Sequence, residues 1–228
     1  MVYESLGKRA LAEALGTFLL TFVGAGSSVA TYILTASAGE SLMIGALANG
    51  LALALAVSAT MNVSGGNINP AVSLALFLAR KISAKTALVY GFCQVGGAII
   101  AAALLKLSLP PEYGNPVAWG TPQLNASISI FEGIVLEAIM TFILIFVVFG
   151  TAVDERAPKI GGFGIGLAVT ADALVGGPFT GAAMNPAREI GPALISGMLS
   201  NWYVYWIGDF IGAAFAAVIY GYIILRHK

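Results

Sequence analysis

Two copies of the tripeptide Asn-Pro-Ala, each after a segment rich in small residues, constrain this chain more than any other feature. Asn favours the N-cap of a helix, and Pro favours the first helical position, so each copy predicts a helix start. The apolar runs that follow, 71–79 and 187–198, are shorter than the roughly 20 residues a full membrane span requires. We therefore predict two half-helices that enter a bilayer and stop. The motif residues are Asn69, Pro70, Ala71, Asn185, Pro186 and Ala187.

Irregular backbone at membrane depth is tolerated only where protein buries it or where it lines a water-filled cavity. If the half-helices enter from opposite faces, their N-termini meet and create a positive electrostatic maximum. Asn69 and Asn185 would then offer side-chain N–H donors at the same place. This arrangement predicts a passage that admits neutral molecules and repels cations. The alternative is that each Asn only caps a helix in a buried loop.

The composition is that of a polytopic membrane protein, with 58% hydrophobic and 10% charged residues. A net charge of zero gives no reason to expect a nucleic-acid partner; the expected surroundings are a lipid bilayer. We predict an all-α membrane protein with six transmembrane helices and two re-entrant half-helices. The predicted spans are 8–32, 42–61, 84–107, 128–151, 160–177 and 201–225.

The two halves of the chain resemble each other. The segment 12–18 returns at 136–142, and the segment 50–52 returns at 166–168. Three spans per half is an odd number, so the halves must be inserted in opposite orientations, as in inverted-repeat transport proteins. We predict one transmembrane channel domain over 1–228. Its repeats are about 1–107 and 128–228, and the outer loop 108–127 joins them.

The basic residues indicate the orientation. Nine of the 11 Lys and Arg residues fall on one side of the membrane if both termini share that side, which the positive-inside rule makes the cytoplasm. The absence of organelle targeting signals favours a prokaryotic plasma membrane. The nine residues are Lys8, Arg9, Arg80, Lys81, Lys85, Arg156, Lys159, Arg226 and Lys228.

Three charged residues occupy apolar surroundings. An intramembrane Arg is energetically expensive and usually functional. Arg188 follows Asn185 by three residues, so we expect it to face the passage from the outer side; the alternative is a snorkelling side chain in an outer loop. Glu13 and Glu137 stand at equivalent positions in spans one and four. We predict that both brace the loops by accepting backbone N–H groups, with a proton relay as the alternative.

The segments 12–18, 64–71 and 180–188 resemble the major intrinsic protein family, which comprises the aquaporins and glycerol facilitators. The resemblance covers nearly the whole chain and implies an aquaporin-like fold. It also implies a passive channel for water, and for small uncharged solutes such as glycerol, urea or ammonia, that excludes protons and ions. No enzyme activity, cofactor or metal is expected. The family implies a homotetramer in which each subunit has its own pore.

The resemblance further implies an outer selectivity filter at Asn49, Ala173, Ala182 and Arg188. Water-selective members of the family typically carry a bulky aromatic residue and His at the first two positions, and glycerol facilitators carry aromatic residues. This chain has neither. Two Ala and one Asn leave space beside the Arg unless Phe131 or Phe179 fills it. Strict water selectivity is therefore not expected.

Three alternatives to a water channel make different demands on the chain. A glycerol-type facilitator differs from a water channel only in the solute it mainly conducts. A coupled secondary transporter would need acidic residues at the midplane and rocking of the two halves. Here the predicted midplane holds two Asn residues, and both acids are predicted braces. A membrane enzyme has no support, because no His, Cys and Asp residues have metal-binding spacing.

Overall fold

The computed structural model describes residues 4–158 and 160–225, and six helices in this part of the chain are long and apolar enough to cross a membrane. The six predicted spans are therefore confirmed. The basic residues Lys159, Arg226 and Lys228 lie outside the described residues. The helices are α1 (Leu6–Ile33), α2 (Ala38–Ser64), α3 (Pro70–Leu78), α4 (Ala84–Ser108), α5 (Pro111–Gly114), α6 (Ile130–Val148), α7 (Phe163–Thr180), α8 (Pro186–Ser196) and α9 (Trp202–Ala216). Two of them continue as π-helices, α6 over Phe149–Val153 and α9 over Ala217–Ile224.

Local capping chemistry explains where the long helices begin. The Ser129 hydroxyl accepts from the Glu132 N–H, and the Glu132 carboxylate accepts from the Ser129 N–H, which is a complete capping box at the start of α6. Ser37 and Glu40 form the same capping box at the start of α2. Ser83 caps α4 through the N–H of a residue in its first turn. These polar caps fix the helix starts at the ends of the apolar runs.

Three predicted segments were wrong by two to four residues at their ends. The second span was predicted over 42–61, whereas α2 covers Ala38–Ser64. The fifth span was predicted over 160–177, whereas α7 covers Phe163–Thr180 and accommodates Pro178 inside its last turn. The second half-helix was predicted to run to residue 198, but α8 ends at Ser196. Gly197 follows it with φ 80°, a left-handed conformation that terminates helices.

The long helices pack in two groups around the half-helices. In one group α1 packs against α2 and α4, and in the other α6 packs against α7 and α9. The groups meet where α2 contacts α7 and α4 contacts α8. Close approach depends on small residues: a Cβ at Gly97 would collide with the Ala14 carbonyl, and one at Gly212 with the Ala138 carbonyl. The core that results surrounds the N-termini of α3 and α8.

The outer connection 108–127 folds back onto α1. It contains α5 and a 3₁₀ segment, Asn115–Gly120, in which Ala118 and Trp119 adopt φ 46° and 53°. Trp119 is 1% exposed and packs in a small core with Ala25 of α1. This burial fixes the backbone of Gly120, whose carbonyl accepts a hydrogen bond from Arg188.

Candidate functional site

The two half-helices begin with the same capping interaction. The Asn69 Oδ1 atom accepts from the Ala71 N–H at 2.8 Å, and the Asn185 Oδ1 atom accepts from the Ala187 N–H at 3.0 Å. Asn185 also accepts from the Arg188 N–H at 3.3 Å. Both Asn residues are buried, at 2% and 4% exposure. The carbonyl end of each side chain is thus committed to its own helix, which points the amide nitrogen away from that helix.

Each Asn amide nitrogen reaches the loop of the opposite half. Asn69 Nδ2 donates to the Met184 carbonyl at 2.7 Å, and Asn185 Nδ2 donates to the Ile68 carbonyl at 3.0 Å. Ile68 and Met184 have φ 59° and 49°, a conformation uncommon outside Gly. The half-helices therefore meet N-terminus to N-terminus through a reciprocal pair of hydrogen bonds. An amide nitrogen has two N–H groups, so one on each Asn remains for another acceptor.

Glu13 of α1 gathers the donors of the first loop. Its carboxylate accepts from the Ser64 hydroxyl at 2.6 Å and from the Asn67 N–H at 2.9 Å. It also accepts from the Ile68 N–H at 2.5 Å and from the Gln94 amide at 2.8 Å. The carboxylate is 0% exposed, so these four bonds replace water around its charge.

Glu137 of α6 does the same for the second loop. It accepts from the Thr180 hydroxyl at 2.5 Å, from the Ala183 N–H at 3.1 Å and from the Met184 N–H at 2.8 Å. Glu13 thus accepts from the N–H of Ile68, and the Ile68 carbonyl accepts from Asn185. In the same way Glu137 accepts from the N–H of Met184, and the Met184 carbonyl accepts from Asn69. The structure thus places both acids beside the two loops.

The halves differ at one position. Gln94 donates to Glu13, but the residue facing Glu137 is a second carboxylate, Asp209. Asp209 accepts from the Thr141 hydroxyl at 3.0 Å, and its other oxygen has no hydrogen-bond partner among the described residues. Thr141 and Asp209 are both 0% exposed. The acid that holds the second loop therefore faces another acid, whereas the acid that holds the first loop accepts a hydrogen bond from an amide.

Arg188 lies in the first turn of α8 and is 7% exposed. Its Nε donates to Asn49 Oδ1 at 3.2 Å, and one terminal nitrogen donates to the Gly120 carbonyl at 3.0 Å. Asn49 is itself oriented by a 2.8 Å bond from its amide to the Gly45 carbonyl. A guanidinium has five N–H donors, so three remain after these two bonds.

Gly24 of α1 makes room for this pair. A Cβ at that position would collide with the Asn49 side-chain amide and lie 3.1 Å from Arg188 Nε. Neither the contact of Gly24 with this pair nor the role of the Gly120 carbonyl was predicted from the sequence. Both roles depend on contacts between distant parts of the chain.

A narrow cavity of about 20 Å³ connects these groups. It has room for about one water molecule. Three of the four predicted filter residues line it, together with both motif Asn residues. The fourth, Ala173, does not line it, and Val169, one turn away on α7, does. The lining includes Asn49, Asn69, Val169, Ala182, Asn185 and Arg188.

Neither Phe131 nor Phe179 fills the space beside Arg188. Phe131 is 74% exposed and Phe179 is 41% exposed, and neither lines the cavity. The narrowing is produced by main chain and by aliphatic side chains such as Leu20, Leu53 and Leu144.

Six apolar spans around two head-to-head half-helices define the class of polytopic membrane channels. The major intrinsic protein family matches residues 2–220, and the chain belongs to that family. It is 45% identical over 229 residues to the probable aquaporin TIP3-2 of Arabidopsis thaliana, covering 94% of this chain and 83% of that protein. It is 41% identical over 232 residues to aquaporin TIP1-2 of Zea mays, covering 99% and 89%.

Among solved structures, the aquaglyceroporin from Plasmodium falciparum superposes with a TM-score of 0.85 at 25% identity, covering 97% of this chain and 98% of that one. Together with the aquaporin relatives, this makes the chain a passive membrane channel for water and small solutes, and not an enzyme. The relatives named above are plant proteins, and the prokaryotic source expected from the sequence stays a prediction.

Proposed function

We propose that water crosses this protein in single file past Asn69 and Asn185, and that the free N–H of each Asn bonds the passing molecule. The observation that carries the proposal is the reciprocal pair of hydrogen bonds from the Asn amides to the Ile68 and Met184 carbonyls. These bonds fix both amides, and both Asn residues line the same cavity, where the remaining donors can bond one molecule. A water held there through its oxygen turns its own hydrogens away from the centre, which interrupts a proton-conducting chain.

Cations are excluded by three positive groups along the same path. The N-termini of α3 and α8 each carry a partial positive charge, and Arg188 carries a full one. A neutral molecule meets hydrogen-bond donors, whereas a cation meets a barrier. Aquaporin-type pores are an established example of selectivity by diameter, donors and electrostatic barriers.

Asn49, Ala173, Ala182 and Arg188 form the proposed selectivity filter. Asn49 adds one amide N–H that its bond to Gly45 leaves free. Ala182 contributes only a methyl group to the lining of a cavity that holds about one water molecule. Urea or glycerol therefore reaches the guanidinium donors when the aliphatic side chains that line the cavity move apart. We propose that the channel conducts small uncharged polar solutes alongside water. The second candidate, a facilitator that mainly conducts glycerol, is favoured by the same small side chains.

The experiment compares water, glycerol and urea fluxes in vesicles containing wild type or Ala182→Phe. A Phe at this position narrows the cavity where Arg188 and Ala182 face each other. The expected result is a larger loss of glycerol and urea flux than of water flux. Equal losses for all three solutes would contradict the filter assignment. Glycerol flux far above water flux in wild type would favour the facilitator, and a saturating, ion-dependent flux would favour a coupled transporter.

Glu13 and Glu137 are proposed to brace the two loops. Support comes from the seven hydrogen bonds that their carboxylates accept, four of them from loop N–H groups. These bonds hold Ile68 and Met184, whose carbonyls accept hydrogen bonds from Asn185 and Asn69. Replacing Glu13 with Leu is expected to abolish folding or flux, because buried donors are left without acceptors.

The single domain of 1–228 with inverted repeats 1–107 and 128–228 is also proposed. It is supported by the matched contacts of Glu13 and Glu137. We propose that the protein assembles as a homotetramer in a plasma membrane, with both termini in the cytoplasm. Cross-linking of purified protein tests the oligomeric state, and protease accessibility of terminal tags on sealed vesicles tests the side on which the termini lie.

A further inference from the structure

An apolar groove of about 490 Å³ runs along the outside of α3. Helices α4 and α9 form its walls, and the half-helix that carries Asn69 at its N-cap forms its floor. Two of its large side chains are conspicuously exposed, Leu88 at 65% and Phe92 at 79%. The large apolar lining residues are Leu74, Phe77, Leu88, Phe92, Trp206 and Phe210.

The groove has the length of one lipid leaflet. Ala84 and Val95 of α4 both line it and are 11 residues apart, which a helical rise of 1.5 Å per residue converts to about 16 Å. Half of the roughly 30 Å hydrocarbon core of a bilayer is about 15 Å. The deep end of the groove reaches Pro70, at the junction of the two half-helices. An acyl chain entering near Ala84 would therefore end near the middle of the membrane.

Basic residues surround the shallow end of the groove. Arg80 and Lys81 precede α4, and Lys85 lies in its first turn. All three are exposed, and none makes an ion pair with the part of the chain that the structure describes. Lys85 stands three residues before Leu88 and seven before Phe92, so it shares their helix face one turn nearer the membrane surface. The cations and the apolar groove thus form one continuous surface.

We propose that this groove binds an anionic phospholipid from the leaflet on the basic side of the molecule. One acyl chain lies along α3, and the phosphate contacts Lys81 and Lys85. The apolar lining selects a lipid over a peptide, whose backbone polar groups would lack partners at this depth. The unpaired cations select an anionic headgroup over a zwitterionic one. A bound chain would support the outer face of α3, the helix that begins at Asn69.

The first test measures lipid retention by native mass spectrometry of the purified full chain with phosphatidylglycerol or phosphatidylcholine added. Wild type is expected to retain phosphatidylglycerol preferentially. Each juxtamembrane Lys changes affinity about five-fold, so Lys81→Gln with Lys85→Gln is expected to weaken it about 30-fold. The matched control, Lys8→Gln with Lys106→Gln, removes two cations away from the groove and is expected to leave retention unchanged.

The second test fills the groove. A Cβ at Gly91, which lines the groove, or at Gly96, which does not, meets nothing within 4 Å. Gly91→Leu is expected to lower phosphatidylglycerol retention, and Gly96→Leu on the same helix is not. Equal retention by wild type, the double Lys variant and Gly91→Leu would overturn the proposal. So would a change in oligomeric mass caused by Gly91→Leu, because the groove would then be a contact between copies of the chain.

Discussion

The substitution Gly24→Ala tests whether Asn49 and Arg188 form the constriction. The added Cβ would collide with the Asn49 amide and lie 3.1 Å from Arg188 Nε. The amide must move, which breaks the 3.2 Å hydrogen bond that joins the two side chains. Gly26 is a matched control in the same helix, because a Cβ there meets only the Leu105 Cδ1 atom at 3.4 Å, an ordinary contact.

Two opposing free energies decide the effect on stability. Replacing Gly with Ala inside a helix stabilises by about 0.5–1 kcal/mol. Losing a hydrogen bond to a charged group costs about 1.5–3 kcal/mol. Gly24→Ala should therefore destabilise the fold by about 0.5–2.5 kcal/mol, while Gly26→Ala should be neutral or stabilise it by up to about 1 kcal/mol. At about 2–4 °C per kcal/mol, the Tm of Gly24→Ala should fall by roughly 1–10 °C.

The assay is stopped-flow shrinkage of vesicles carrying equal amounts of each variant, combined with thermal unfolding of the purified proteins. The cavity beside Asn49 has room for about one water molecule, so the displaced amide and the new methyl group obstruct it together. Water permeability should fall strongly in Gly24→Ala and stay near wild type in Gly26→Ala. If the two variants match in permeability and in Tm, the assignment of the constriction is wrong.

Three other substitutions test separate parts of the account. Asn185→Ala removes a helix cap and the hydrogen bond to the Ile68 carbonyl. It should lower the stability measured by thermal unfolding by about 1–2 kcal/mol and reduce the water flux. An unchanged water flux would refute the role given to the amide. Arg188→Ala removes a pore cation and should raise glycerol and proton fluxes in vesicles; ion exclusion as tight as in wild type would refute the barrier. The hydrogen bonds and charge of Arg156 lower the pKa of Asp154, which lies outside the spans. A carboxyl group whose pKa is lower in the folded protein stabilises the fold at pH values above its unfolded pKa of about 3.9. This stabilisation is lost as the pH falls from that value toward the folded pKa. The Tm of wild type should therefore drop more than that of Asp154→Asn between pH 6 and pH 3, and parallel Tm profiles would contradict this.

Local chemistry explains why the half-helices could be predicted from sequence. Asn69-Pro70 and Asn185-Pro186 contain their own cap and their own first helical residue, so no distant contact is needed to locate the helix starts. The observed starts at Pro70 and Pro186 lie one residue from the apolar runs used to predict them. The six spans could be predicted equally well, because the length and hydropathy of a segment show whether it can cross a membrane.

The partners of Arg188 could not be predicted in the same way. Asn49 is 139 residues away in the chain and the Gly120 carbonyl is 68 residues away. The carbonyl belongs to a loop whose conformation depends on the burial of Trp119 against α1. Every residue has a main-chain carbonyl, so the residue type does not indicate which carbonyl will accept the hydrogen bond. The π-helical ends of α6 and α9 are likewise set by packing between them, where Tyr220 stacks on Phe149.

The most direct measurement of the central claim is the water flux and the proton flux of the wild-type protein in the same vesicles. The account predicts rapid water flux with a low activation energy and a proton flux no greater than that of protein-free vesicles. The head-to-head N-termini and the fixed Asn amides are the reason for that difference. A proton flux that rises with water flux as more protein is reconstituted would contradict it.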